Sequence, residues 1–255
     1  MKSLAIKAAK MAGQKLLKDF KSFNRKDIKF KSPHEIVTQA DKGAEKIILD
    51  LIRQKYPQHS IISEEAGESL KKSDYTWVID PLDGTTNFSM HNPLWSVVVS
   101  LLFKKEVILG VIYAPFLNEL FLAQKNQGAY LNNKKIQVSK KNRIKESLLT
   151  YCHGSTDRDI KRAIKAYNKF KILGLDCRQL GSAAIELGFV ASGRTESIMI
   201  PGARLWDVAA GILLVSEANG QVTDFKGKEW NLNSKDMLAT NGKIHSQLLK
   251  AVQRI

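Results

Sequence analysis

The apolar run Trp77-Val78-Ile79 leads directly into Asp80-Pro81-Leu82-Asp83-Gly84-Thr85-Thr86-Asn87-Phe88, and no other stretch restricts the fold as tightly. Bulky apolar residues at 77–79 read as the end of a buried strand. Pro81 cannot donate to a sheet ladder and biases Asp80 toward an extended backbone. The strand is therefore expected to end here, with Asp80 and Asp83 together at its carboxyl edge. Gly84 and Thr85 suit the start of a helix, whose unpaired N–H groups attract anions. Hard carboxylate oxygens beside such a helix start describe a magnesium–phosphate site. Asp-Pro-x-Asp alone also fits a turn with a capping aspartate, a reading that leaves the rest of the nonapeptide unexplained.

Three more acids stand at the ends of expected elements. Asp41 falls at the start of a helix over 41–55 and Asp207 at the head of one over 207–218, where a structural N-cap is the plain alternative for both. Glu64 follows the short strand 60–63 directly, and a surface turn would also explain it. Together they put acids at strand ends and helix starts, where ligands gather in α/β folds.

An amphipathic first helix carries Ala5, Ala9, Ala12, Leu16 and Phe20 between its lysines, followed by Lys-rich loop or hairpin material over 21–37. Antiparallel strands are expected at 95–103, 107–113 and 120–123, then a hairpin over 128–136 that turns at Asn132-Asn133. Further on, strands at 147–152, 171–176, 197–200, 221–224 and 237–240 alternate with helices at 157–170, 182–191 and 207–218. Gly220 is expected at the C-cap of the last of these helices. The mixed order indicates an α/β chain, α+β in part, with layered helices and sheets. The basic stretch 140–145 is expected to join two halves. Residues 1–143 form an N-terminal α+β half with the motif, and residues 144–255 form a C-terminal α/β half that completes the site.

The chain has 255 residues, enough for a sizeable core, and no stretch reaches the apolar length that spans a bilayer. The apolar run of the first helix, broken at Lys7, is too short for a signal peptide. Cys152 and Cys177 lack zinc-spaced partners and read as reduced, partly buried thiols, so a cytoplasmic protein with no membrane contact is expected. The net charge of +15 has two readings, a solvated Lys-rich surface or a polyanionic partner. Lys161, Lys165 and Lys169, with Arg158 and Arg162, make the helix over 157–170 the best candidate for a basic patch. Ile160, Ile164 and Tyr167 are expected on its other face. No RNA-binding aromatic motif accompanies it. His91, close after the motif, reads as a loop or core histidine.

Trp77 to Phe88 and Trp206-Asp-Val-Ala-Ala-Gly211 resemble the two signatures of the inositol monophosphatase family, magnesium-dependent and lithium-sensitive phosphatases. Ile36-Val-Thr-Gln-Ala-Asp41, Ile62-Ser-Glu-Glu65 and Gly181-Ser-Ala-Ala184 resemble its other blocks in the same order, so the resemblance spans nearly the whole chain. It implies a layered αβαβα architecture, usually dimeric, with two to three magnesium ions. By position, Glu64, Asp80 and the Leu82 carbonyl would hold a first ion. Asp80, Asp83 and Asp207 would hold a second, with Asp80 bridging, and Glu64 would help a weaker third. Asp41 and Thr85 would orient the attacking water, with Glu64 counted beside them as catalytic. Leu82, Asp83, Gly84, Thr85, Gly181, Ser182, Ala183 and Asp207 would line the substrate, the N–H groups of Gly84 and Thr85 meeting the phosphate.

The residue types suit that chemistry, since paired metals can generate a nucleophile and stabilise a leaving oxygen. One position departs from the resemblance. Inositol-specific members carry a Glu seven residues before the second-signature Asp, and here that position is Ile200, followed by an unusual Pro201-Gly-Ala-Arg204. Glu196 or Arg204 is a candidate to take over its contact. The leading substrates are small anionic esters of the inositol 1-phosphate type, sugar or polyol phosphates. Nucleotide 3′-phosphates, fructose 1,6-bisphosphate, histidinol phosphate and NADP(H) are the alternatives. Partnership with RNA or a transcription complex is an alternative of a different class.

Overall fold

The computed structural model describes residues 1–253. Helix α1 (Lys2–Ser22) is followed by a hairpin, β1 (Lys29–Ser32) and β2 (Glu35–Val37), and by α2 (Gln39–Lys55). Next come β3 (Ser60–Ser63), β4 (Gly67–Ser69), β5 (Tyr75–Asp83), the short α3 (Thr85–Ser89) and β6 (Ser96–Phe103). Strands β7 (Glu106–Ala114), β8 (Glu119–Gln124), β9 (Gly128–Leu131) and β10 (Lys134–Ile136) complete this part. Then follow β11 (Leu148–Tyr151), α4 (Asp157–Leu173), β12 (Asp176–Arg178), α5 (Ala183–Ala191) and β13 (Ser197–Pro201). The last elements are α6 (Leu205–Glu217), β14 (Gln221–Thr223), β15 (Asp236–Thr240) and α7 (His245–Val252).

Two large sheets result. One runs β10-β9-β8-β7-β6-β5-β3-β4, antiparallel throughout except where β3 lies parallel to β5. The other runs β12-β11-β13-β15-β14, parallel across β12, β11 and β13 and antiparallel at β15. Side chains alternate across a strand, and the apolar runs use both faces. Val97, Val99 and Leu101 of β6 pack with α1 and α2, whereas Val98 faces α5 and α6. The outer face of the second sheet, with Leu149, Met199 and Leu238, packs on α4 and α7. The layers are thus helix pair, sheet, helix pair, sheet, helix pair, the αβαβα order expected.

Helices α5 and α6 form the middle layer and are covered on both sides. Their sequences are accordingly apolar nearly all round instead of striped. Gly110 of β7 lets α6 approach closely, since a Cβ there would lie 2.8 Å from Ala210 Cα. Among the described residues no helix is long and apolar enough to cross a membrane.

Three details differ from the sequence-based expectations. Residues 171–173 continue α4, and the strand expected at 171–176 begins only at Asp176. The buried stripe of α4 is Ala163, Ala166 and Phe170, a phase that leaves Ile164 53% exposed. At the end of α6, Asn219 and not Gly220 takes the left-handed conformation (φ 67°). Asn219 N–H donates to Ser216 O at 3.0 Å and Gly220 N–H to Val215 O at 2.8 Å, a Schellman closure in which Gly220 follows the left-handed residue. Gly220 serves a different need, because a Cβ would lie 2.6 Å from Thr240 O.

At the end of the second sheet, the buried His245 ring lies between Thr223 Oγ1 and Thr240 Oγ1, each at 3.0 Å. Burial pushes its pKa down from 6.5 to about 4. The ring is neutral when folded and protonates more readily when unfolded. Its contribution is therefore complete above pH 6.5 and is lost as pH falls toward 4, on the order of 3 kcal/mol in all. The melting temperature of the wild type should fall more steeply between pH 6.5 and 4.5 than that of His245→Gln. Parallel slopes in thermal melts of the two proteins would remove His245 from the account.

Candidate active site

Residues three apart on a regular strand point to opposite faces, so a plain strand would separate Asp80 from Asp83. Strand β5 does not stop at Asp80, as Pro81 suggested; it runs on to Asp83 through a bulge. Asp80 pairs with Val98 and Asp83 with Ser96, so β5 carries one extra residue against its neighbour. Pro81 sits in the bulge, where its missing N–H is tolerated. The extra residue shifts the alternation. Ile79 and Leu82 both enter the core under α1 and α2, and Asp80 and Asp83 both lie on the other side, in a cavity of about 510 Å³.

Glu64, directly after β3, and Asp207, in the first turn of α6, complete a ring of four acids on that cavity. Neither Asp41 nor Asp207 is an N-cap. Thr38 caps α2 and forms a capping box with Asp41, whose Oδ2 accepts from Thr38 N and Oγ1, both at 2.7 Å. Arg204 occupies the cap position of α6. Asp41 is buried behind Thr85, whose Oγ1 lies 3.0 Å from Asp41 Oδ1 and 3.1 Å from Leu82 O.

Gly84 has φ 91°, and a Cβ there would lie 2.9 Å from Leu94 O, so the backbone entering α3 needs a glycine on both counts. Asp83 is held by donors on two elements. Ser96 Oγ reaches Oδ2 at 3.1 Å, Ala184 N reaches Oδ2 at 3.1 Å, Ala183 N reaches Oδ1 at 3.1 Å, and Ser182 Oγ also donates to Oδ2.

Burial raises the pKa of every one of these aspartates. Asp80 is driven well above the usual carboxylate range by burial and then by the charges of Glu64, Asp83 and Asp207. Asp207 is raised in the same way by burial, Glu64 and Asp83, with Arg204 opposing. Asp83 is raised only to about 6, because its four donors favour the charged form against burial. Asp41 is raised by burial, with its Thr38 and Thr85 hydrogen bonds opposing.

This donor set fits a hard divalent cation: four carboxylates and the Leu82 carbonyl on one cavity, with mutual repulsion that positive charge would relieve. Cys152 also lines it, but burial holds its thiol protonated. Among the described residues no three acidic or imidazole side chains already close around one point, so the donors are gathered rather than assembled into a finished cage. Lys31, from the β1–β2 hairpin, donates to Glu64 Oε1 at 3.1 Å and to Glu65.

Of the other expected residues, Gly181 and Ala183 line the cavity, as do Leu82, Gly84 and Thr85. Ser182 does not. It is 1% exposed, and its hydroxyl serves Asp83 and caps α5 through Ile185 N. Ile200 is also buried, in the core cluster shared with the middle helices, and does not line the cavity. Glu196 is committed to Leu148 N at 2.6 Å, and Arg204 to Ser155 Oγ at 2.6 Å and Glu35 Oε1 at 2.5 Å. His91 packs on Phe20 and Phe23. Asn87, His153 and Gln179 join the cavity unforeseen. Asn87 stood in view within the motif, whereas no local signal marks the other two.

Replacing Ser182 by Ala removes both a cap and a donor to a buried carboxylate, and should cost about 2 kcal/mol. Ser96→Ala removes one donor and no cap, and should cost about 1 kcal/mol. Urea denaturation of the two variants measures the difference. Equal losses would mean that the capping role of Ser182 adds nothing.

A model of the inositol monophosphatase family matches residues 1–255. The chain is 37% identical over 257 residues to the Nus factor SuhB of Pasteurella multocida, covering 99% of this chain and 96% of that one. It is 38% identical over 221 residues to a fructose-1,6-bisphosphatase/inositol-1-monophosphatase of Thermotoga maritima, covering 87% and 84%. The structure superposes on that of the inositol monophosphatase from Anabaena (Nostoc) with a TM-score of 0.88 at 35% identity, covering 100% of this chain and 95% of that one.

Proposed function

Because the chain belongs to the inositol monophosphatase family, we propose that it hydrolyses small phosphate monoesters of the sugar or polyol type, with magnesium as cofactor and water as nucleophile. The observation that carries this reading is the gathering of Glu64, Asp80, Asp83 and Asp207 on one cavity with Thr85 and, behind it, Asp41. In this reading Glu64, Asp80 and the Leu82 carbonyl would hold one ion and Asp80, Asp83 and Asp207 a second, with Glu64 helping a weaker third. Bound there, magnesium would supply Lewis-acid activation of water and charge stabilisation at the leaving oxygen.

The chain's own groups handle the proton. Thr85 Oγ1 has one hydrogen for two acceptors, Asp41 Oδ1 and Leu82 O, and free lone pairs toward the cavity. It can accept a hydrogen from the attacking water while passing its own to Asp41, whose proton affinity burial has raised. The N–H groups of Gly84 and Thr85, at the start of α3, then orient the phosphate. Dimerisation, lithium sensitivity and a cytoplasmic location go with the family and are proposed together with the activity.

Glu196 is engaged with Leu148 N and Ile200 is buried, so neither offers a carboxylate to the substrate alcohol. Sites without such a contact discriminate weakly. With magnesium present, kcat/KM for inositol 1-phosphate, a nucleoside monophosphate, fructose 1,6-bisphosphate and glycerol 2-phosphate should agree within about tenfold. Failure to release phosphate from every ester would sink the proposal.

A second reading, partnership with RNA or a transcription complex, is favoured by the net charge of +15 and by the name of the Pasteurella relative. RNA binding that weakens steeply with salt would support it.

For the chemistry itself, Thr85→Ala should lower kcat by about 10²–10⁴-fold and leave the magnesium concentration for half-activation unchanged. Magnesium titrations of the variant check this. A raised metal requirement at normal maximal rate would make Thr85 a metal-site residue instead.

A further inference from the structure

One wall of the cavity is the segment Gln179, Leu180 and Gly181, which belongs to no helix or strand and is fixed from behind on both polar sides. Asn87 Nδ2 donates to Leu180 O and to Leu94 O, each at 2.7 Å. The N–H groups of Leu180 and Gly181 donate to Glu186 Oε1 at 2.9 and 3.1 Å, and Cys152 Sγ donates to the same atom at 3.1 Å. Glu186 lies on α5, sealed from solvent. Its other oxygen, Oε2, is left without a well-formed hydrogen bond, and the Thr150 hydroxyl beside it donates to Ser197 O at 3.1 Å yet stands near enough to favour the charged carboxylate.

A carboxyl sealed from solvent is costly to keep, and packing alone would be better served by leucine. What Glu186 does, and leucine cannot, is gather three groups of the cavity wall on one atom. The loop is also divided between two anchors. Ser182, Ala183 and Ala184 hang on Asp83, at the acidic side, whereas Leu180 and Gly181 hang on Glu186.

We infer that Glu186 is a positioning residue for the alcohol half of the substrate, holding the Leu180–Gly181 wall in place while Asp83 independently holds the metal side. This rests on the phosphatase reading above. It predicts a separation of kinetic constants that a merely structural role would not give. The ligand it serves is a small polyol phosphate ester.

The test compares the full-length wild type with Glu186→Leu and Glu186→Gln. Glu186→Leu should raise KM for inositol 1-phosphate about tenfold, the scale of one lost hydrogen bond in uniform binding, with kcat little changed. Inhibition by inorganic phosphate and the half-activating magnesium concentration should also stay near wild type. Glu186→Gln should restore KM, because its amide oxygen still accepts from both N–H groups. An unchanged KM in folded Glu186→Leu, or a joint loss of kcat and magnesium affinity, would overturn the inference.

Should Glu186→Leu not fold, Asn87→Ala releases the same wall from its carbonyl side. It must then show the KM-selective loss, and a wild-type KM there would overturn the inference equally. If the wild type hydrolyses no ester, the phosphatase reading fails, and calorimetry with inositol 1-phosphate and with inorganic phosphate decides this one separately. Glu186→Leu must weaken binding of the ester alone; equal binding by the two proteins overturns the positioning role.

Discussion

Four hydrogen bonds to one buried carboxylate tie the molecule together. Asp83, at the end of a strand of the first sheet, accepts from Ser96 on the neighbouring strand and from Ser182, Ala183 and Ala184 at the head of α5. Partners about a hundred residues away in sequence are thereby fixed to within a hydrogen bond. Burying a lone carboxylate would be prohibitive, and its donors offset that cost. They also hold Asp83 nearer to ionisation than Asp80 and Asp207, whose charges meet fewer donors and more repulsion. The middle helix layer therefore docks on the first sheet through the same group that gives the cavity its charge.

Much of this could be read from local patterns. The antiparallel strands after residue 95, the turn at Asn132-Asn133, the strand before Glu64 and the helices carrying Asp41 and Asp207 follow from alternation, helical spacing and turn residues. Four of the five acids line one cavity, and Asp41 lies behind Thr85. Errors arose where tertiary geometry overrode a local rule. Pro81 signalled a strand end, but a bulge absorbed it and brought Asp80 and Asp83 to one face. Helix α4 runs on through 171–173, where a strand was expected, and its true packing face uses alanines in place of Ile164. Ser182 sits beside cavity residues in sequence, yet its side chain turns inward to Asp83. Lys31, Cys152, His153, Gln179 and Glu186 reach or back the site from segments without local signals, and only the layered arrangement brings them there.

The hairpin of β1 and β2 has a different character from the layers beneath it. Its contacts across to the rest of the site are chiefly polar: Lys31 with Glu64 and Glu65, His34 with Asp157, and Glu35 with Arg204. Pairs of this kind are weak and salt-sensitive compared with apolar packing. The rigid part of the site is thus the pair of carboxylate anchors, and the hairpin covers it with more freely exchanged interactions.

The spread of the acids along the chain also bears on biosynthesis. Glu64, Asp80 and Asp83 leave the ribosome early, but α5 and α6 follow only after residue 182, and β13 must still pair with β15 at residues 236–240. Until then the first sheet has only one of its helix layers, and its second apolar face, with Val98, Ile112 and Phe121, lies bare. Such non-local closure is slow and leaves partly folded chains prone to association. The acids on that same face keep their hydration in the nascent chain and give the bare surface negative charge. They lose that water only when α5 and α6 arrive.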